Sequence, residues 1–149
     1  MNKIQKIAGV LSNQEILELI HKNVITSENG IEKDLIQPAS IDLRLGIKAW
    51  RVPASFLPGK GHKVSSRLKD LAMHEFSLID GAVLECGCVY IVKLLENISL
   101  TDNLTGIANP KSSTGRLDVF TRLIVDGTME FEEVPVGYHG PLYLSLIHI

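Results

Sequence analysis

The sequence predicts an all-β barrel or sandwich with a single helix ahead of it. Three observations carry that prediction. From Ile36 onward, short apolar stretches alternate with Gly/Pro turns. Near the N-terminus one capping box precedes one apolar-periodic run. No internal repeat, low-complexity tract or linker divides the 149 residues. That length is enough for one domain with a core of its own.

The helix comes first. Ser12 and Glu15 have the S-x-x-E spacing of a capping box, in which each residue satisfies a backbone N–H of the other. Ile16, Leu17, Leu19 and Ile20 follow, and His21, Lys22 and Asn23 mark the end. His21 suits the negative end of the helix dipole better than a ligand role. Residues 40–46 alternate polar and apolar with period two, which predicts a strand ended by Leu45 and Gly46. Residues 49–63, with Pro53, Pro58, Gly59 and Gly61, predict a loop or irregular edge. Residues 74–79 predict a strand, closed by a turn at Asp80 and Gly81. Residues 83–95 are strand-rich, and residues 98–104 form a short element. A turn follows over residues 126–135, and a last strand starts at Pro141.

Composition excludes several functions. Apolar residues make up 45% and charged residues 21%, as in a soluble globular chain. The net charge of -2 gives no broad field for nucleic acid or an anionic membrane. No apolar run reaches the roughly 18 residues that span a bilayer, and the apolar stretch at residues 7–11 is too short for a signal-peptide core. The expected location is the cytoplasm. Cys86 and Cys88 lie one residue apart in a strand-like stretch, on one face and poorly placed to bond each other. They are expected to be buried reduced thiols, with a metal half-site as the alternative.

The densest chemistry lies at residues 111–116, where Lys111, Ser112, Ser113, Thr114, Gly115 and Arg116 adjoin. Hydroxyls, backbone amides and a glycine can form an anion-binding concavity, and Arg116 adds a planar fork for phosphate or carbonyl oxygens. Such a composition also fits an ordinary turn. Upstream, Asp42 and Arg44 share a strand face, the pattern of a structural ion-pair ladder. The Walker glycine pattern, H-E-x-x-H, G-x-S-x-G and G-x-G-x-x-G are absent, as is the H-x-E…P-C-x-x-C signature of zinc deaminases.

Residues 37–46, QPASIDLRLG, and residues 111–116, KSSTGR, resemble the two hallmark segments of dCTP deaminases in the dUTPase-like superfamily. The usual forms are close to QPAS-[ILV]-DLRLG and [RK]-SS-x-[AG]-R. Residues 137–143, GYHGPLY, are similar to the family's G-[WYF]-x-G strand entry. Trp50 with Arg51 and Val52, Arg67 with Leu68, and Asn109 with Pro110 resemble a longer bacterial subgroup.

The resemblance implies a distorted β-barrel, a homotrimer and active sites at subunit boundaries. It implies hydrolytic deamination of dCTP to dUTP and ammonia, with Mg2+ on the triphosphate and no zinc. By position, Lys111, Ser112 and Ser113 would hold phosphates, and Ser112 would also orient the attacking water. Arg116 would act at the base and the water, and the Val125 backbone would lie near the cytosine ring. Tyr138 would pack at the sugar, and Asp126 is the nearest residue for reading the sugar. Asp42 and Arg44 would support the fold. A dUTP pyrophosphatase of the same fold is the alternative, marked by a carboxylate in the turn before Tyr138; an inactive nucleotide-binding fragment is another.

The pattern departs at Ser145, which stands where the family places its general-base Glu. A serine hydroxyl is not ionised at neutral pH, and loss of a general base costs about 10²- to 10⁴-fold in rate. The expectation is one domain over residues 1–149, incomplete at its C-terminal end and of low activity.

Overall fold

The computed structural model describes residues 9–149, so positions 7 and 8 of the apolar N-terminal stretch lie outside the described residues. Helix α1 (Asn13–His21) starts as its capping box dictates: Ser12 Oγ accepts from Glu15 N, and the Glu15 carboxylate accepts from Ser12 N at 2.8 Å. Those bonds hold the Glu15 carboxyl below its ordinary pKa.

Ten strands follow or flank three further helical segments, one of them a 3-10 turn at Lys33–Leu35. They are β1 (Ile25–Ser27), β2 (Ile36–Gln37), β3 (Ser40–Ile41), β4 (Leu45–Val52), β5 (His74–Ser77), β6 (Val89–Ser99), β7 (Gly106–Ile107), β8 (Val119–Val125), β9 (Glu133–Val134) and β10 (His139–His148). The main sheet runs β5-β4-β6-β10-β8, with β1 paired to the far end of β6; every pairing is antiparallel. β2 pairs with β3, and β7 with β9, in two small ribbons. The chain is therefore mainly β with an N-terminal helix, as its pattern predicts. The sheet ends at β5 and β8 rather than closing on itself among the described residues.

Both faces of the sheet centre are covered, which explains the buried apolar run 123–125 that ends β8. Leu123 and Val125 pack to one side with Leu94, Leu100, Val134, Tyr138 and Leu142. Ile124 and Tyr143 pack to the other with Val52, Val64, Leu68 and Ile91.

Four local expectations need correction. A second helix, α2 (Val64–Leu71), covers one face through Val64 and Leu68. Its apolar spacing is helical, but its cap comes from far away: Val64 N donates to Asp126 Oδ1 at 2.8 Å. Gly46 does not end a strand. It lies inside β4 at a register shift against β6, where a Cβ would clash with Lys93 O. β4 then runs to Val52 through the first residues of the expected loop. Finally, Cys86 and Cys88 lie outside β6, on either side of Gly87 in a turn, and Cys86 is exposed. The positive φ of 74° at Gly87 breaks the extended geometry that would have buried them.

Candidate functional site

The motif at residues 111–116 folds as a single helical turn, α3 (Ser112–Gly115), immediately before β8. Thr114 N and Thr114 Oγ1 both donate to Lys111 O, at 3.1 and 2.6 Å, so the threonine hydroxyl serves the turn itself. Ser112 and Ser113 remain exposed on α3. Lys111 Nζ reaches Asp42 Oδ2 at 2.7 Å, and Gln37 Nε2 donates to the same oxygen at 3.2 Å. The two motifs, 69 residues apart in sequence, are thus joined by a charge-assisted hydrogen bond.

Beside α3 lies a cavity of about 380 Å³. Lys111, Ser112 and Gly115 contribute its polar rim, and Pro110, Val119 and Phe120 its apolar wall. Asn109, Thr121, Arg122 and Glu132 complete it. The cavity combines a cation and a hydroxyl with apolar side chains, chemistry that suits a phosphorylated aromatic ligand.

The other predicted site residues lie elsewhere. Arg116 is exposed beyond the end of α3 and is not among the residues that line the cavity. Val125 is fully buried at the opposite end of β8 from Val119, about 20 Å away at the rise of a strand. Asp126 follows it and caps α2. Tyr138 is in the core; its hydroxyl donates to Pro141 O at 2.6 Å and accepts from Asp126 N at 3.3 Å. Burial is the main reason its pKa is pushed up to about 12. Ser145 is buried in β10, between Ile91 of β6 and Arg122 of β8, with its Oγ bonded to Ser55 Oγ at 2.9 Å. One chain therefore gathers Lys111 and Ser112 at one end of β8, and Val125, Asp126 and Tyr138 at the other.

Asp42 and Arg44 do not form a ladder on one strand, because residues 42–44 leave extended pairing. Arg44 turns inward instead. Its N and Nε donate to the two oxygens of Glu96 at 2.9 and 2.8 Å, and its Nη2 donates to Ser27 Oγ and Gly30 O.

Sequence reasoning missed Arg122 and Glu132 as cavity residues. Arg122 sits in an apolar run and Glu132 in an assumed turn. The one available signal was the carboxylate-bearing segment ahead of Tyr138.

A family model described as the 2'-deoxycytidine 5'-triphosphate deaminase (DCD) N-terminal domain matches residues 7–148. A dCTP deaminase of Haemophilus ducreyi is 25% identical over 146 residues, covering 93% of this chain and 72% of that protein. A dUMP-forming dCTP deaminase of Salinispora tropica is 32% identical over 142 residues, covering 94% of this chain and 69% of that protein. The crystal structure of 2'-deoxycytidine 5'-triphosphate deaminase from Agrobacterium tumefaciens superposes with a TM-score of 0.90 at 51% identity, over 94% of this chain. This chain spans 42% of the length of that solved chain.

Proposed function

The chain belongs to the dCTP deaminase N-terminal-domain family, and from that premise we propose that it serves the hydrolytic deamination of dCTP to dUTP and ammonia in pyrimidine deoxynucleotide metabolism, in the cytoplasm. The observation that carries the reading is the cavity beside α3, where a family motif brings Lys111 and Ser112 onto an apolar wall. Lys111 and the Ser112 and Ser113 hydroxyls hold triphosphate oxygens. Ser112 also orients the attacking water, and Arg116 polarises the pyrimidine as charge develops at C4.

Mg2+ enters as part of the substrate, carried on the triphosphate, and zinc takes no part in the proposed reaction. No group of three or more His, Cys, Asp or Glu side chains is gathered to hold a metal among the described residues. The ion is assigned to phosphate oxygens and water, as the family resemblance implies.

The separation of about 20 Å along β8 supports a site shared between copies. The Ser112 end of one chain meets the Val125, Asp126 and Tyr138 end of another, as in the homotrimer that the family resemblance implies. Ser145 supplies no base, so turnover by this chain is expected to be about 10²- to 10⁴-fold below that of a family member with Glu at that position.

The similarity to dCTP deaminases favours this reading over a dUTP pyrophosphatase. Similarity to a dUMP-forming relative makes the product worth separating: dUTP for deamination alone, dUMP if the triphosphate is also cleaved. Titration of Mg-dCTP into the chain tests the binding step, and chromatography of the products tests the chemistry. Lys111→Ala and Ser112→Ala should each weaken dCTP binding by about 10- to 100-fold, the range for losing a hydrogen bond to a charged group. Undiminished affinity in both variants would remove the cavity from the proposal. Pyrophosphate and dUMP formed from dUTP, with no ammonium from dCTP, would replace deamination with the pyrophosphatase reaction.

A further inference from the structure

Glu132 carries two features that cost the fold free energy at the same residue. Its φ is 69°, in the left-handed region that side-chain-bearing residues adopt rarely. Its Oε1 is withdrawn from water with no hydrogen-bond partner among the described residues. The guanidinium of Arg122 stands 3.6 Å from it, an ion pair too long for a hydrogen bond. Yet the residue is firmly placed. Its N donates to Leu123 O at 3.1 Å, its O accepts from Ala108 N at 2.8 Å, and its Oε2 accepts from Leu123 N at 3.3 Å. One oxygen holds the side chain in position, and the other is spare. Glu132 is among the residues that line the same cavity as Lys111, Ser112 and Phe120.

We infer that Glu132 is a specificity-determining residue of this cavity, whose spare oxygen accepts a hydrogen bond from the exocyclic amine of cytosine. The inference rests on the deaminase reading above. A carboxylate repels phosphate, so the triphosphate belongs at Lys111 and Ser112, and a donor-bearing part of the ligand belongs at Glu132. Cytosine presents two N–H donors at its C4 amine. Uracil presents a carbonyl oxygen there, which offers no donor and faces the carboxylate with like polarity. The same oxygen thus favours the substrate and disfavours the product, and buried groups left unpaired by the wrong ligand are the strongest source of such discrimination. Arg122, whose side chain is 62% exposed and lies over the Phe131 ring at 5.7 Å, must turn aside as the base arrives.

The test titrates Mg-dCTP, Mg-dUTP and the 4-deamino analogue, 2-pyrimidinone deoxynucleoside triphosphate, into the 149-residue chain and its Glu132→Gln variant. The wild type should prefer dCTP over both others by about tenfold or more, and the variant should bring the dCTP/dUTP ratio to within about threefold of unity. Gln keeps an oxygen for Leu123 N, so the local fold is retained. Should the variant nonetheless fail to fold, the analogue decides on the wild type alone: binding as tight as dCTP overturns the inference, and weaker binding supports it. A dCTP preference that survives in Glu132→Gln also overturns it, while leaving the deaminase reading in place. Failure of the wild type to bind either natural nucleotide overturns both.

Discussion

Glu96 in β6 and Glu132 ahead of β9 both face a guanidinium, at 2.8 Å and 3.6 Å. Glu96 is fully buried, and both its oxygens are occupied by Arg44, which also binds Ser27 and Gly30. That pair ties β1, the turn after it and the approach to β4 onto the central strand. Glu132, a residue of the cavity lining, keeps one oxygen for Leu123 N and leaves the other without a hydrogen bond. A buried charge with every lone pair matched holds structure together; one left half-matched beside a cavity is a place for a ligand.

The sharpest way to break the comparison is to remove the cation from each pair. Arg44→Ala strands a fully buried carboxylate, and a loss of about 3–5 kcal/mol is expected. Arg122→Ala removes a cation whose side chain is 62% exposed, and a loss of about 0–1 kcal/mol is expected. Urea unfolding measures both. Equal losses would mean that the two carboxylates do the same job.

Tyr138 gives a third buried polar group, satisfied as Glu96 is, and its effect is read by pH. Burial is the main cause that raises its folded pKa to about 12, from an ordinary value of 10.0. The neutral phenol is therefore the form the fold prefers. Its contribution is fully present below pH 10 and is lost as pH rises through the folded pKa, a decline of about 1–2 kcal/mol between pH 10 and 12 once solvent screening is allowed for. Tyr143 is shifted the same way by burial. The difference between wild type and Tyr138→Phe isolates the share of Tyr138. The variant should start about 1 kcal/mol less stable at neutral pH and then fall less steeply above pH 10. Parallel curves would show that the hydroxyl is not held as described.

What the sequence revealed follows from how local each cause is. The α1 start was legible because Ser12 and Glu15 cap each other three residues apart. The cradle at residues 111–116 was legible because its hydroxyls, glycine and cations are neighbours in the chain. Helix α2 was missed because the group that caps it, Asp126, lies 62 residues from Val64. Gly46 reads as a strand end because the backbone that excludes a side chain there belongs to Lys93, in another strand. Arg44 was placed in a ladder because its partner, Glu96, is 52 residues away. Glu132 was legible only as a carboxylate in the turn before Tyr138: its positive φ and unmatched oxygen arise only once Ala108, Leu123 and Arg122 close around it.

The smallest expected effect is the one that sharpens the comparison most. Glu132→Gln removes a charge without changing shape. It relieves the desolvation of a carboxylate whose Oε1 gains no hydrogen bond, and it gives up a long, largely exposed attraction to Arg122 that is worth about 0–1 kcal/mol. The amide oxygen still accepts from Leu123 N. The expected outcome is a stability equal to wild type or up to about 1 kcal/mol above it, measured by urea unfolding without nucleotide. A residue retained for structure would lose several kcal/mol, as Glu96 is expected to do when its partner is removed. A loss of that size at Glu132 would place it in the scaffold with Glu96, and the strained backbone and spare oxygen would then need another cause. A neutral or stabilising result, alongside a collapsed preference for dCTP, would mean that the fold tolerates Glu132 for the sake of its ligand.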